Sequence, residues 1–112
     1  MSISLEQLKE WMQTPEENER LEFKEAKENF HFEKLVKYCV ALANEGGGQI
    51  ILGVTDKQPR KVVGTHAFRE LARTKAGLME RVPLRIEASE LNHPEGRVLV
   101  FQVPSRPTGI AI

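Results

Sequence analysis

The sequence predicts an α+β fold in which helices pack on a mixed β-sheet, giving a two-layer domain. Apolar residues recur at the 3.6-residue spacing of a helix over 32–43, the clearest helix signal in the chain. Three glycines at 46–48 end that helix, and the almost wholly apolar segment 49–54 predicts a strand covered on both faces. Polar and apolar residues alternate in three further segments, which predicts strands at 20–24, 84–91 and 97–103.

Two more helices and a short returning strand at Val62 and Val63, ended by Gly64, complete the predicted set of elements. Ser4 and Gln7 have the spacing of a capping box, which predicts a helix over about 5–12. Thr65 is expected to cap a third helix that ends before Pro83. The residues expected on the buried side of this third helix are Phe68, Leu71, Ala72, Leu78 and Met79.

The length of 112 residues suits one domain with one core. We expect an N-terminal helix within 1–13 and the main domain at 14–112. Ile110 and Ile112 alternate like the start of a further strand, so the chain is expected to be the N-terminal part of a longer protein. Cys39 is the only cysteine and lies at an apolar position of a predicted helix, which predicts a buried, reduced thiol.

The distribution of apolar residues argues against a membrane-spanning protein and against a secreted protein with a cleaved signal. No run of eighteen apolar residues is present, so we expect no membrane span. No basic leader precedes an apolar segment, which argues against a secretory signal and favours the cytoplasm.

Charge is balanced overall but divided unevenly along the chain. Residues 1–56 contain 11 acidic and 6 basic side chains, whereas residues 57–112 contain 5 acidic and 10 basic ones. The basic half could contact phosphates, or the two halves could pair with each other across the surface. The charge distribution leaves both interpretations open.

The glycines at 46–48 also allow two interpretations. They can end a helix and permit close packing, or their backbone amides can form a nest that faces a phosphate. The segment lacks the Gly-x-x-x-x-Gly-Lys-Ser/Thr pattern, so it gives no support to an ATPase of the phosphate-loop class.

Several segments together resemble the Schlafen-type Alba-like domain over about residues 14–104. They are Glu17-Asn-Glu-Arg-Leu-Glu-Phe-Lys24, Ala41-Leu-Ala-Asn-Glu-Gly-Gly-Gly48, Ile51-Leu-Gly-Val-Thr-Asp56 and Val63-Gly64. The resemblance implies an Alba-like fold and a DNA-binding module, which has also been called a divergent AAA domain. In bacteria and archaea such domains commonly stand at the N-terminus of predicted transcriptional regulators.

The resemblance also implies a set of candidate catalytic and metal-binding residues. In animal Schlafen proteins two similar lobes cut structured RNA with three acidic residues, and the matching positions are Glu17, Glu22 and Asp56. Three carboxylates would suit Mg²⁺ or Mn²⁺, which can polarise a phosphodiester. The alternative is that residues 16–28 form only a solvated acidic edge.

Basic residues supply the candidate contacts to DNA or RNA, which would be sensitive to salt. These candidates are Lys24, Lys57, Arg60, Lys61, Arg69 and Arg73. Three hypotheses follow: a nucleic-acid-binding module of a transcriptional regulator, an endoribonuclease dependent on Mg²⁺ or Mn²⁺, and a protein-interaction domain that forms homodimers through an open sheet edge.

Overall fold

The computed structural model describes residues 3–15, 18 and 20–109, and within them lie three helices and four strands. In chain order the elements are α1 (Leu5–Met12), β1 (Leu21–Lys24), α2 (Phe32–Asn44), β2 (Gly48–Leu52), α3 (Leu71–Arg81), β3 (Glu87–His93) and β4 (Gly96–Val103). The predicted α+β fold with helices on a mixed sheet is confirmed. Ile110 and Ile112, predicted to begin a further strand, are outside the described residues. None of the helices in these ranges is both long and apolar enough to cross a membrane.

The sheet has the strand order β1-β2-β4-β3. β1 and β2 are parallel and joined through α2, so the carboxyl ends of both strands lie at the same end of the sheet. β4 runs antiparallel to β2, with Leu52 paired to Leu99, so β4 begins at that end. We call this the Lys24 end, after the last residue of β1.

Both faces of the sheet are apolar and covered. α2 and α3 pack on one face, while Leu8 of α1 is only 1% exposed in a second cluster on the other face. Because side chains alternate along a strand, Ile50 and Leu52 lie in the first cluster and Ile51 in the second. This double coverage explains why β2 is apolar at nearly every position.

The glycines after α2 allow both a turn and a close contact. Gly47 has a φ of +90°, a conformation that L side chains rarely adopt, and its amide donates to the carbonyl of Leu42 at 2.7 Å. A Cβ atom on Gly48 would lie 2.4 Å from the backbone oxygen of Arg20. The glycines thus end α2 and let β2 approach the backbone of Arg20, the residue that precedes β1. This is what the helix-ending interpretation requires.

The third helix begins later than the sequence predicts, and Thr65 does not cap it. Its hydroxyl donates to the carbonyl of Ala26 and accepts from the amide of Ala67. Phe68 has a φ of +50°, which is incompatible with a right-handed helix. The helix therefore starts only at Leu71.

Arg97 holds the segment before α3 out of the helix. Its guanidinium donates to three carbonyls in this segment, at distances of 2.6–3.3 Å: those of Thr65, Ala67 and Phe68. The buried residues of α3 are then Thr74 and Leu78, whereas Met79 is 63% exposed and Ala72 is exposed as well. The prediction that Ala72 and Met79 face the core is wrong because it assigned the buried side of α3 from a start that the helix does not have.

Candidate functional site

A cluster of polar side chains surrounds the ammonium group of Lys24. Its Nζ lies 5.2 Å from the centroid of the Tyr38 ring. A hydrogen bond with Tyr38 raises the pKa of Lys24, partial burial opposes this rise, and the charges of Glu22 and Asp56 add to it. One ammonium group therefore interacts with an aromatic side chain and with two of the predicted acidic residues.

Three elements bring these side chains together. In β1 the residues Leu21 and Phe23 are buried against α1, so Glu22 and Lys24 lie on the opposite face, where α2 packs. Tyr38 is half-buried on α2. Asp56 is exposed in the loop that follows β2, and the parallel pairing of β1 and β2 places this loop at the Lys24 end.

Only two of the three residues of the predicted metal site, Glu22 and Asp56, lie within the described residues. Glu17, the third predicted carboxylate, lies outside the described residues. Within the described ranges, no group of three or more His, Cys, Asp or Glu side chains is arranged to hold a metal ion. Glu22 and Asp56 supply carboxylate oxygens, the donor type that Mg²⁺ and Mn²⁺ prefer, and Lys24 balances their charge.

Arg60 is predicted to contact nucleic acid, but in the structure it is buried and binds backbone carbonyls of the domain itself. The residue is only 8% exposed, and its guanidinium lies 4.2 Å from the centroid of the Phe23 ring. Its donors bind four backbone carbonyls, those of Met12, Thr14, Pro15 and Asp56. This guanidinium joins the end of α1 to the loop after β2, so we leave Arg60 out of the candidate interface.

Of the other predicted basic residues, Lys24 is partly buried and the remaining four are exposed. Lys57, Lys61 and Arg69 make no ion pair with any residue in the described part of the chain. Arg73 lies 3.4 Å from Glu70, but both side chains are more than 70% exposed, so the pair is weak and the arginine remains accessible.

Three of these cations, Lys57, Lys61 and Arg69, lie at one end of the sheet. Lys57 and Lys61 belong to the loop that follows β2, and the amide of Gly53 in this connection donates to the carbonyl of Lys24. Arg69 follows the segment that Arg97, near the start of β4, holds in place. We call the set at the Lys24 end the basic end of the sheet; it comprises Lys24, Lys57, Lys61 and Arg69. Arg73 is left out of this set, because Lys75, two residues later on α3, pairs with Glu87 at the opposite end of the sheet.

Tyr38 is the residue of this site that the sequence did not reveal. The helical spacing of 32–43 identifies the apolar side of α2, but the contact between Tyr38 and Lys24 depends on how α2 crosses between β1 and β2. No short motif encodes that crossing.

Two solved structures are similar to this chain and share its fold. The crystal structure of the DIP2311 protein from Corynebacterium diphtheriae has a TM-score of 0.62 at 23% identity and covers 84% of this chain. The solution structure of the N-terminal domain of a RecG-related protein from Nitrosomonas europaea has a TM-score of 0.58 at 20% identity, and covers 92% of this chain and 80% of that domain. The present chain spans only 22% of the DIP2311 chain.

Comparison of the sequence with family models identifies the family of this chain. No curated protein matches the chain. The model of the family described as Schlafen, AlbA_2 matches residues 17–110, which is most of the chain and includes the Lys24 cluster. The chain therefore belongs to the Schlafen, AlbA_2 family.

Proposed function

We propose that the domain binds nucleic acid, DNA or RNA, through the basic end of the sheet. The observation that carries the proposal is the exposure of Lys57, Lys61 and Arg69 at the same end as Lys24; Arg73, one turn after Arg69, is exposed as well. Ammonium and guanidinium groups that are not buried in ion pairs can neutralise phosphates and release counterions. Family membership and the RecG-related neighbour, a protein related to a DNA helicase, support the same class of ligand.

The test is the salt dependence of binding to labelled DNA and RNA, measured by fluorescence anisotropy. Each lost phosphate contact should lower the slope of log affinity against log salt by about 1. The double variant Lys57→Ala/Lys61→Ala should therefore lower the slope by about 2, and the single variant Arg69→Ala should lower it by about 1.

Arg85→Ala is the matched control, because Arg85 is exposed just before β3, at the opposite end of the sheet. Its slope should equal that of the wild type. Binding that fails even at low salt would refute the proposal and leave protein interaction or homodimerisation as the remaining hypothesis. Equal slopes for all variants would place the interface elsewhere.

A second candidate function is metal-dependent cleavage of RNA by Glu17, Glu22 and Asp56. The observation that favours it is that the charges of Glu22 and Asp56 act on the same ammonium group. Mg²⁺ or Mn²⁺ bound by these carboxylates would polarise a phosphodiester. Lys24 would hold a phosphate beside the two carboxylates and balance their charge.

Cleavage of structured RNA in the presence of Mn²⁺ tests this second function. Glu22→Gln and Asp56→Asn should abolish cleavage while RNA binding persists, since neither change removes a cation. Glu45→Gln is the control, because Glu45 is exposed at the other end of α2. Equal cleavage by all three variants would exclude these carboxylates from the reaction.

The proposal extends to a cytoplasmic regulator of transcription that contains this domain. Its support is the resemblance to domains at the N-terminus of predicted bacterial regulators. Crosslinking of the full-length protein to chromosomal DNA in cells would test it, and recovery of RNA alone would contradict it.

A further inference from the structure

One face of α2 carries lysines and an aromatic ring outside the basic end. A shallow groove of about 340 Å³ is lined by Lys34, Lys37, Tyr38 and Ala41. These residues are spaced by three, four and seven positions, so they lie on one side of the helix. Lys34, Lys37 and Ala41 are exposed, and Tyr38 is half-buried.

Two aromatic rings lie together beside this groove, each with a lysine over it. The centroids of the Phe30 and Tyr38 rings are 6.3 Å apart, with an angle of 31° between the ring planes. The Nζ atom of Lys34 is 5.6 Å from the centroid of Phe30, and that of Lys24 is 5.2 Å from the centroid of Tyr38. Neither ring is fully buried. We call this surface, formed by Lys24, Phe30, Lys34, Lys37 and Tyr38, the α2 platform.

Lys34 and Lys37, the two lysines that α2 contributes to the platform, are not held in ion pairs with nearby acids. Glu33, one turn from Lys37, is held by Arg81 through two hydrogen bonds of 2.5 and 2.9 Å. Lys37 still acts on Glu33 through its charge, but neither Lys34 nor Lys37 forms an ion pair within the described part of the chain. The platform is therefore a local excess of positive charge within the acidic half of the sequence.

We propose that the α2 platform binds a single-stranded segment of nucleic acid, with an unpaired base stacked at Tyr38 and phosphates held by Lys34 and Lys37. This inference rests on the proposed function and names the form of its ligand. Stacking on an aromatic side chain requires an unpaired base, whereas lysines alone would accept a duplex equally well. The platform adjoins the Lys24 cluster, because Lys24 belongs to both.

The experiment compares a fluorescein-labelled 12-nucleotide strand, as oligo-dT and as oligo-U, with a labelled hairpin duplex. Tyr38→Leu removes the ring but keeps an apolar side chain, and should weaken binding of the single strands about tenfold. Lys34→Gln/Lys37→Gln should weaken it similarly and also lower the salt slope by about 2. Tyr38→Leu should change duplex affinity less than twofold, whereas the lysine variant should weaken binding of both strand and duplex, because its phosphate contacts do not depend on base pairing. Arg85→Gln should leave every affinity unchanged.

The outcomes separate this inference from the proposed function. If Lys57→Ala/Lys61→Ala weakens binding while both α2 variants bind single strands like the wild type, the inference fails and the proposed function stands. Equal loss for strand and duplex in Tyr38→Leu would also overturn it, since the platform would then recognise only phosphate. If the wild type binds neither ligand at low salt, both proposals fail. If Tyr38→Leu does not fold, the lysine variant still tests the α2 platform, because both lysines are exposed and their replacement does not disturb the core.

Discussion

The guanidinium of Arg60 lies over the ring of Phe23, 4.2 Å from its centroid, and binds the carbonyls at the end of α1. The last turn of a helix leaves carbonyls without intrahelical partners, and a buried arginine offers five donors in a fixed fork. Arg60 thus connects α1, β1 and the loop that carries Asp56. The position of Asp56 beside the Lys24 cluster depends on this contact.

Arg60→Met should destabilise the domain by about 3 kcal/mol, because several buried carbonyls lose a charged donor at once. Arg60→Lys should recover little of this loss, since an ammonium cannot reproduce the planar fork. Urea unfolding measures both values. Lys61→Met, which changes an exposed neighbour, is the control and should stay within about 0.5 kcal/mol of the wild type. A small effect of Arg60→Met on stability together with a large effect on nucleic-acid binding would return Arg60 to the interface.

Local patterns were sufficient to predict most of the fold. Ser4 accepts a hydrogen bond from the amide of Gln7, and α1 spans Leu5–Met12 as its spacing predicts. The prediction fails where a distant residue decides the conformation. Arg97 fixes the segment after Thr65 through bonds that span about thirty residues, and no window around position 65 contains that information.

The sequence could predict several residues of the candidate site, but not how they are arranged or which of them are buried. The resemblance identifies Glu22 and Asp56, and the parallel strands explain why both act on Lys24. Charge alone does not distinguish Arg60 from Lys61, since burial decides which cation is available and burial depends on α1. The role of Tyr38 could not be predicted for a similar reason, because its partner Lys24 belongs to another element.

Gly48→Ala should be strongly destabilising. The new methyl group would lie 2.4 Å from the oxygen of Arg20 and 3.0 Å from a methyl carbon of Leu42, and a backbone oxygen cannot move aside without disturbing β1. We expect a loss of about 3 kcal/mol in the free energy of unfolding. Gly109→Ala is the control: Gly109 has a φ of +82° but no heavy atom within 4 Å, so it should cost only about 1 kcal/mol. Gly48 has no positive φ, so a cost no larger than that of Gly109→Ala would mean that β1 and β2 shift apart to relieve the close contact.

Cys39 should make stability depend on alkaline pH. Burial raises the pKa of its thiol from 9.0 to about 12, so above pH 9 the thiol ionises in the unfolded chain while it stays protonated in the folded one. The stabilisation is complete below pH 9 and is lost as pH rises toward 12. Relative to Cys39→Ala, the wild type should lose about 2 kcal/mol between pH 8 and pH 10.5. An identical pH dependence in the two proteins would contradict burial of the thiol.

Reactivity gives an independent test of the same thiol. At pH 8 a disulfide reagent should modify Cys39 only as fast as the domain opens, because the thiol is buried and protonated. In 6 M guanidinium chloride the reaction should be fast. Rapid modification of the native protein would mean that α2 does not cover this side chain.

Glu33 should make the contact between α2 and α3 sensitive to acid. The hydrogen bonds from Arg81 lower the pKa of Glu33 below its ordinary value of 4.5, with smaller contributions from the charges of Arg81 and Lys37. The stabilisation is therefore present above pH 4.5 and is lost as pH falls through the lowered pKa. The melting temperature of the wild type should exceed that of Glu33→Gln at pH 6, and the difference should shrink as the pH falls below 4.5. Because the pair is exposed, 1 M salt should also reduce the difference. Glu45→Gln, at the other end of α2, should show no such dependence on pH, and a difference for Glu33→Gln that stays constant as the pH falls would rule out the ion pair as its cause.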